Sequence, residues 1–140
     1  MIGTLTPDEI DQLLRRQTVG RLAVTLNDRP YVVPIAYAYD GASVYAYSGP
    51  GRKVDVMREQ PVVCFEVDEM RGPGEWRSVV AEGRFEEITG DPARREALTL
   101  LGIANGSLAR VLEPASRAVI FRIRLTERSG RFERGDGVVG

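Results

Sequence analysis

The chain contains no histidine and one cysteine, Cys64. Those two counts exclude Cys/His zinc sites, haem ligation by histidine, a Ser-His-Asp triad and an internal disulfide. Cys64 sits in the apolar run Val62-Val63-Cys64-Phe65. A cysteine in such a run reads as a small buried hydrophobe, and no histidine exists to activate its thiol. An excess of charge of either sign is also missing: 19 basic residues against 20 acidic ones leave a net charge of −1. A chain that wraps nucleic acid carries a marked basic surplus, so no nucleic-acid partner is expected. Long apolar runs are absent as well. The apolar-leaning uncharged stretch 31–39 is far too short to cross a bilayer and contains Pro34. The opening decapeptide MIGTLTPDEI has no basic cluster, and Asp8 and Glu9 interrupt it, so it does not read as a secretory signal. The expectation is a cytoplasmic protein with no membrane partner.

What remains is enough for one core. With 43% of 140 residues hydrophobic, a single domain over 1–140 is expected, its Gly-rich end (135–140) frayed. Thr6-Pro7-Asp8-Glu9 predicts a helix start with a capping box, and Leu5 and Ile10 are placed to staple it. Ile10, Leu13 and Leu14 then recur at helical spacing, with a stop near Gln17. β-branched and aromatic residues predict strands over 19–26, 31–39 and 44–48, broken by Asn27-Asp28 and by Asp40-Gly41. A short helix is predicted over 52–60, then strands over 62–68 and 76–88, with Gly83 marking a bulge and MRGPGE (70–75) a loop. Asp91-Pro92 is expected to cap another helix, with Ala97, Leu98 and Leu101 inward and Gly102 at its end. Residues 103–116 accommodate a further short helix before Pro114. Val119, Phe121, Ile123 and Leu125 then alternate with Arg122, Arg124 and Thr126, the clearest strand pattern in the chain. Six strands joined by hairpins early and by helices later predict a mostly β, mostly antiparallel barrel with packed helices.

The most informative stretch for chemistry is YAYSGPGRKVDVM, residues 45–57. A strand ends at Ser48, a glycine-rich turn follows, and Arg52 and Lys53 precede a helix. Glycines let a backbone approach an anion, and a helix start offers unpaired N–H groups. Lys53 is the only lysine, against eighteen arginines, and lysine supplies a compact point charge. A phosphate site and a turn with two solvated cations are both consistent with this spacing. Elsewhere, Tyr37, Tyr39, Tyr45 and Tyr47 alternate as strand packing. Asp68-Glu69 reads as a solvated strand end, and Arg94-Arg95 as an exposed helix face.

Four segments together, RPYVVPIAYAYDG, VYAYSGPGRKVDVMREQPVVCFEVD, WRSVVAEGRFEEI and FRIRLTERSGRFE, resemble the FMN-binding split barrels related to pyridoxamine 5′-phosphate oxidase. Within that family the similarity is to the smaller branch that includes nitroimidazole-resistance proteins, and it runs from Thr6 to Phe132. The resemblance implies a six-stranded antiparallel split β-barrel of Greek-key type with two to four short packed helices. It implies FMN as cofactor, with the strand backbone at Val33, Pro34 and Ile35 along the flavin ring. The phosphate step falls on Gly51, Arg52 and Lys53, with Tyr47 and Ser48 beside it. The strand that reaches the flavin with a polar side chain here reads Trp76-Arg77-Ser78-Val79, Ser78 standing where a longer glutamine is usual. Trp76 reads either as a stacking partner near the flavin or as a core or interface anchor.

A homodimer with the flavin between subunits, acting as an oxidoreductase on a small-molecule substrate, is further implied. Specificity is expected from the 70–75 loop and from 103–116. The histidine that the resistance branch often carries before the lysine is Arg52 here, so chemistry assigned to it does not transfer. The Arg- and Trp-containing segment that reads the substrate phosphate in true pyridoxamine phosphate oxidases is not found before Gly140, so B6 oxidation is not expected. The deazaflavin coenzyme on the same fold, a flavin store or sensor without turnover, and a small interaction barrel are the alternatives.

Overall fold

The computed structural model describes residues 1–102 and 118–135; the expectations for 103–116 and for the tail beyond 135 lie outside it. Thr6 opens the first helix, α1 (Pro7–Arg16), as its local chemistry dictates. Its Oγ1 accepts from the Glu9 N–H at 3.2 Å while Glu9 Oε1 accepts from the Thr6 N–H at 2.9 Å. Leu5 and Ile10 are buried together, and Leu13 and Leu14 are wholly enclosed. A short strand, β1 (Ile2–Thr4), precedes the helix and pairs with the far end of the chain.

The remaining elements are β2 (Val19–Leu26), β3 (Arg29–Ala36), β4 (Ala38–Tyr39), β5 (Ser43–Ser48), α2 (Arg52–Glu59), β6 (Val62–Gly72), β7 (Glu75–Glu87), α3 (Asp91–Leu100) and β8 (Val119–Glu133). They form one curled antiparallel sheet in the order β3-β2-β6-β7-β8-β5-β4, with β1 added on β8. The split-barrel expectation holds, with eight strands among the described residues rather than six. The extra two are β1 and the two-residue β4, split from β3 at Tyr37.

Asn27 and Asp28 both take positive φ, 49° and 63°, which is what a two-residue turn between right-twisted strands requires. Gly83 lies at the predicted bulge: Glu82 pairs with Glu127 and Gly83 with Leu125, leaving Thr126 over, and its Oγ1 donates to the Glu82 carbonyl. Two expectations need correction. The loop at 70–75 is mostly strand, because β6 runs to Gly72 and β7 begins at Glu75, leaving Pro73-Gly74 as the turn. The residue capping α3 is Gly90 at φ 90°, with Asp91 already inside the helix.

The concave face of the sheet, α1 and α2 enclose the main core, centred on Phe65, Phe121, Leu22 and Met57. A smaller cluster of Ala97, Leu98 and Ile120 lies where α3 covers β8. No described helix is long and apolar enough to cross a membrane.

Candidate functional site

The glycine-rich corner is built by burial on one side and openness on the other. Val54, Val56 and Met57 of α2 are buried in the main core, which fixes the helix. Its N-cap is Gly51, whose carbonyl accepts from the Asp55 N–H at 3.1 Å, and no side chain caps the helix start. Nothing lies within 4 Å of where a Cβ would project from Gly49 or Gly51, so the turn is open to an approaching group. Ser48, half-buried at the end of β5, donates its hydroxyl to the Gly49 carbonyl. Tyr47 is exposed beside it, alternating with buried Ala46.

Arg52 is exposed and Lys53 half-buried. Neither has a carboxylate within 4.0 Å among the described residues; Asp55, the acid in that first turn, pairs with Arg58. Burial holds the Lys53 ammonium below its ordinary pKa. A half-buried cation with no counter-charge is costly unless an anion arrives. The residues present therefore fit a phosphate.

Val33, Pro34 and Ile35 lie on β3, at one edge of the sheet: Val33 is half-buried, Pro34 exposed and Ile35 buried. The Tyr37 N–H donates to the Thr18 carbonyl at 3.0 Å, which sets the phase of the β2–β3 ladder. Odd-numbered residues of β3 face β2 with their polar groups, and even-numbered ones turn theirs to the open edge.

Ser78 and Trp76 are elsewhere. Both are on β7, separated from β3 by β2 and β6, about 14 Å at ~4.8 Å per strand. Ser78 is half-buried, in register with Asp68 and Arg131. The Trp76 indole N–H donates to Glu133 Oε1 at 3.0 Å. Trp76 lines a cleft of about 410 Å³ that neither Arg52 nor Lys53 lines. Within one chain, then, the Tyr47–Lys53 group is contiguous, while β3 and Ser78 are strands apart.

The sequence pattern missed a charged cluster on the outer face of the sheet. Arg21 of β2 places Nη1 3.6 Å from Glu66 and 3.4 Å from Asp68, two β6 residues on one face. Burial, then hydrogen bonding to Asp68 and its charge, push the Glu66 carboxyl up to about 7. The available signal was Glu66 and Asp68 alternating with buried Val67. Asp68 and Glu69 are thus paired and lie within β6 rather than standing free at a strand end: Glu69 accepts from Arg16 Nε at 3.1 Å.

Cys64 also faces outward, half-buried, while Val63 and Phe65 take the core positions; burial raises its thiol. Three of the four alternating tyrosines pack as expected, Tyr37 and Tyr39 buried and Tyr45 donating to Asp40, whereas Tyr47 is exposed. Arg95 is exposed and Arg94 half-buried.

A sequence model of the family described as pyridoxamine 5′-phosphate oxidase matches residues 6–132. A FAD-binding protein from Mesorhizobium loti is 37% identical, with a crystal structure that superposes at a TM-score of 0.78 over 94% of this chain and 98% of that one. A 5-nitroimidazole antibiotic resistance-like protein from Bacteroides thetaiotaomicron shares the fold at a TM-score of 0.74 with 18% identity, over 94% of this chain and 89% of that one. The uncharacterized protein RA0666 of Rhizobium meliloti (strain 1021) is 36% identical over 87 residues, 62% of this chain. That match spans 58% of the relative's length.

Proposed function

The chain belongs to the pyridoxamine 5′-phosphate oxidase family, and from that premise we propose that it is a flavin-nucleotide-binding oxidoreductase acting on a small molecule. The observation that carries the reading is the open Gly49–Gly51 turn leading into Arg52 and Lys53, two cations without a carboxylate partner among the described residues, at a helix start that no side chain caps. Lys53 and Arg52 would hold the phosphate, with the α2 N–H groups as further donors. The flavin supplies two-electron redox chemistry; the protein binds it, orients it and excludes water. The β3 edge would carry the ring, with the outward carbonyl of Pro34 as an acceptor there.

Ser78 lies too far along the sheet to join β3 in the same chain, which favours a homodimer in which it reaches the flavin from a second copy. FMN, bound in the cytoplasm, is the primary reading. The FAD-binding protein at 37% identity gives specific support to FAD as a second one.

The test changes Arg52 and Lys53 together to Ala. Each charge-assisted hydrogen bond to phosphate is worth roughly 1.5–3 kcal/mol. The double change should therefore weaken FMN by at least about a hundredfold. Riboflavin has the same ring without phosphate and should hardly respond. Arg94→Ala with Arg95→Ala removes equal charge from α3 and serves as control. Titrations by flavin fluorescence, with FAD alongside, separate the readings. Equal FMN binding by the turn variant and the control, or an equal loss of riboflavin, would reject the phosphate site.

A further inference from the structure

We propose that the cleft between α1 and the projecting end of the β6–β7–β8 sheet is a binding site for a small aromatic carboxylate. This inference does not depend on the flavin reading. The cleft is about 410 Å³, a volume suited to a compact organic ligand. Leu5, Trp76 and Phe132 give it apolar and aromatic surface, and four arginines and four glutamates complete the lining.

Most of those charged groups are already engaged. Glu9 is held by the Thr6 N–H at 2.9 Å, Glu69 by Arg16 at 3.1 Å, and Glu133 by the Trp76 indole at 3.0 Å. The Arg134 guanidinium stacks 4.8 Å above the Phe132 ring. The walls are therefore fixed before any ligand arrives. Arg71 and Arg77 are left over, with no carboxylate within 4.0 Å among the described residues, although Arg77 is near enough to Glu9 to lower its pKa. Glu75, the remaining acid, is exposed at the first position of β7. Two spare guanidinium forks lining the same cleft as Trp76 select a planar carboxylate, since the fork matches carboxylate geometry and a ligand ring can pack on the indole.

Trp76 is the only tryptophan, so its indole N–H gives a single resonance in the nitrogen-labelled protein. Titration with benzoate should move that resonance saturably. Benzamide, its neutral isostere, should bind at least about tenfold more weakly, as should acetate, which lacks the ring. Arg71→Ala and Arg77→Ala should each weaken benzoate and leave benzamide unchanged, and Glu75→Gln should tighten benzoate. Arg71 is exposed, so its replacement keeps the test valid even if Arg77→Ala folds poorly. Equal binding of benzoate and benzamide, acetate binding as well as benzoate, no saturable shift, or benzoate indifferent to the loss of Arg71 would each overturn the proposal.

Discussion

Replacing Glu66 by Gln should stabilise the protein in mild alkali and leave it unchanged in acid. The folded chain holds the Glu66 carboxyl at about 7, against an ordinary value of 4.5, chiefly through burial and then through Asp68 beside it. Between those two values the folded state keeps a proton that the unfolded state releases. Stability therefore falls as pH rises through that window, and the penalty is complete above about 7. A rise of about 2.5 in pKa, at about 1.4 kcal/mol for each, sets an upper bound of about 3.5 kcal/mol. The side chain keeps 30% of its exposure and lies 3.6 Å from Arg21, so water screens the group and the expected penalty is on the order of 1–2 kcal/mol. Glutamine has the same shape and never ionises. Urea denaturation at pH 8 should show Glu66→Gln more stable than the parent by about that amount, with an unchanged slope. At pH 4.5 the two midpoints should nearly coincide. A variant equally shifted at both pH values, or less stable at pH 8, would refute the assignment of the raised proton affinity to Glu66.

Two further outcomes follow from packing. Tyr37→Phe removes the hydroxyl that donates at 2.6 Å to the Leu14 carbonyl, one of the unpaired acceptors at the end of α1; a loss of about 1–2 kcal/mol by thermal or urea denaturation is expected, and no loss would show that water substitutes freely there. Gly20→Ala would set a Cβ 2.4 Å from the Phe65 ring and 2.7 Å from the Glu66 carbonyl; because one neighbour is backbone, a cost on the order of 1–3 kcal/mol is expected, and a neutral effect would mean that β2 and β6 separate more easily than their pairing implies.

Where structure is dictated by residues close in sequence, the chain could be read directly. Thr6, Pro7 and Glu9 define the start of α1 within four positions, and Val19–Leu26 is bounded as its composition predicts. The alternation from Val119 to Thr126 assigned the faces of β8. Elements stabilised by distant partners escaped. β1 has three residues and exists because β8 pairs with it. The glycines and proline of 70–75 suggested a loop, yet long partners on both sides carry the strands almost to Pro73. The same division applies to the candidate site. Arg52 and Lys53 are adjacent and stand out, whereas Arg21, Glu66 and Asp68 meet only through the register of β2 and β6. The Trp76–Glu133 bond likewise spans 57 positions and has no local signature.

The two prolines of β3 decide how this molecule can meet another. Because even-numbered residues point their amides off the sheet, the free margin should present N–H groups at 30, 32, 34 and 36. Pro30 and Pro34 delete two of the four, leaving Val32 and Ala36 as isolated donors about 13 Å apart along an extended strand. An incoming strand would find no continuous ladder to join, so stacking into a fibre through this border is disfavoured even with Tyr31 and Val32 exposed there. Colloidal behaviour is thus constrained by the backbone itself. A Pro34→Val change should restore a donor between those two and make the protein more prone to strand-mediated aggregation at high concentration.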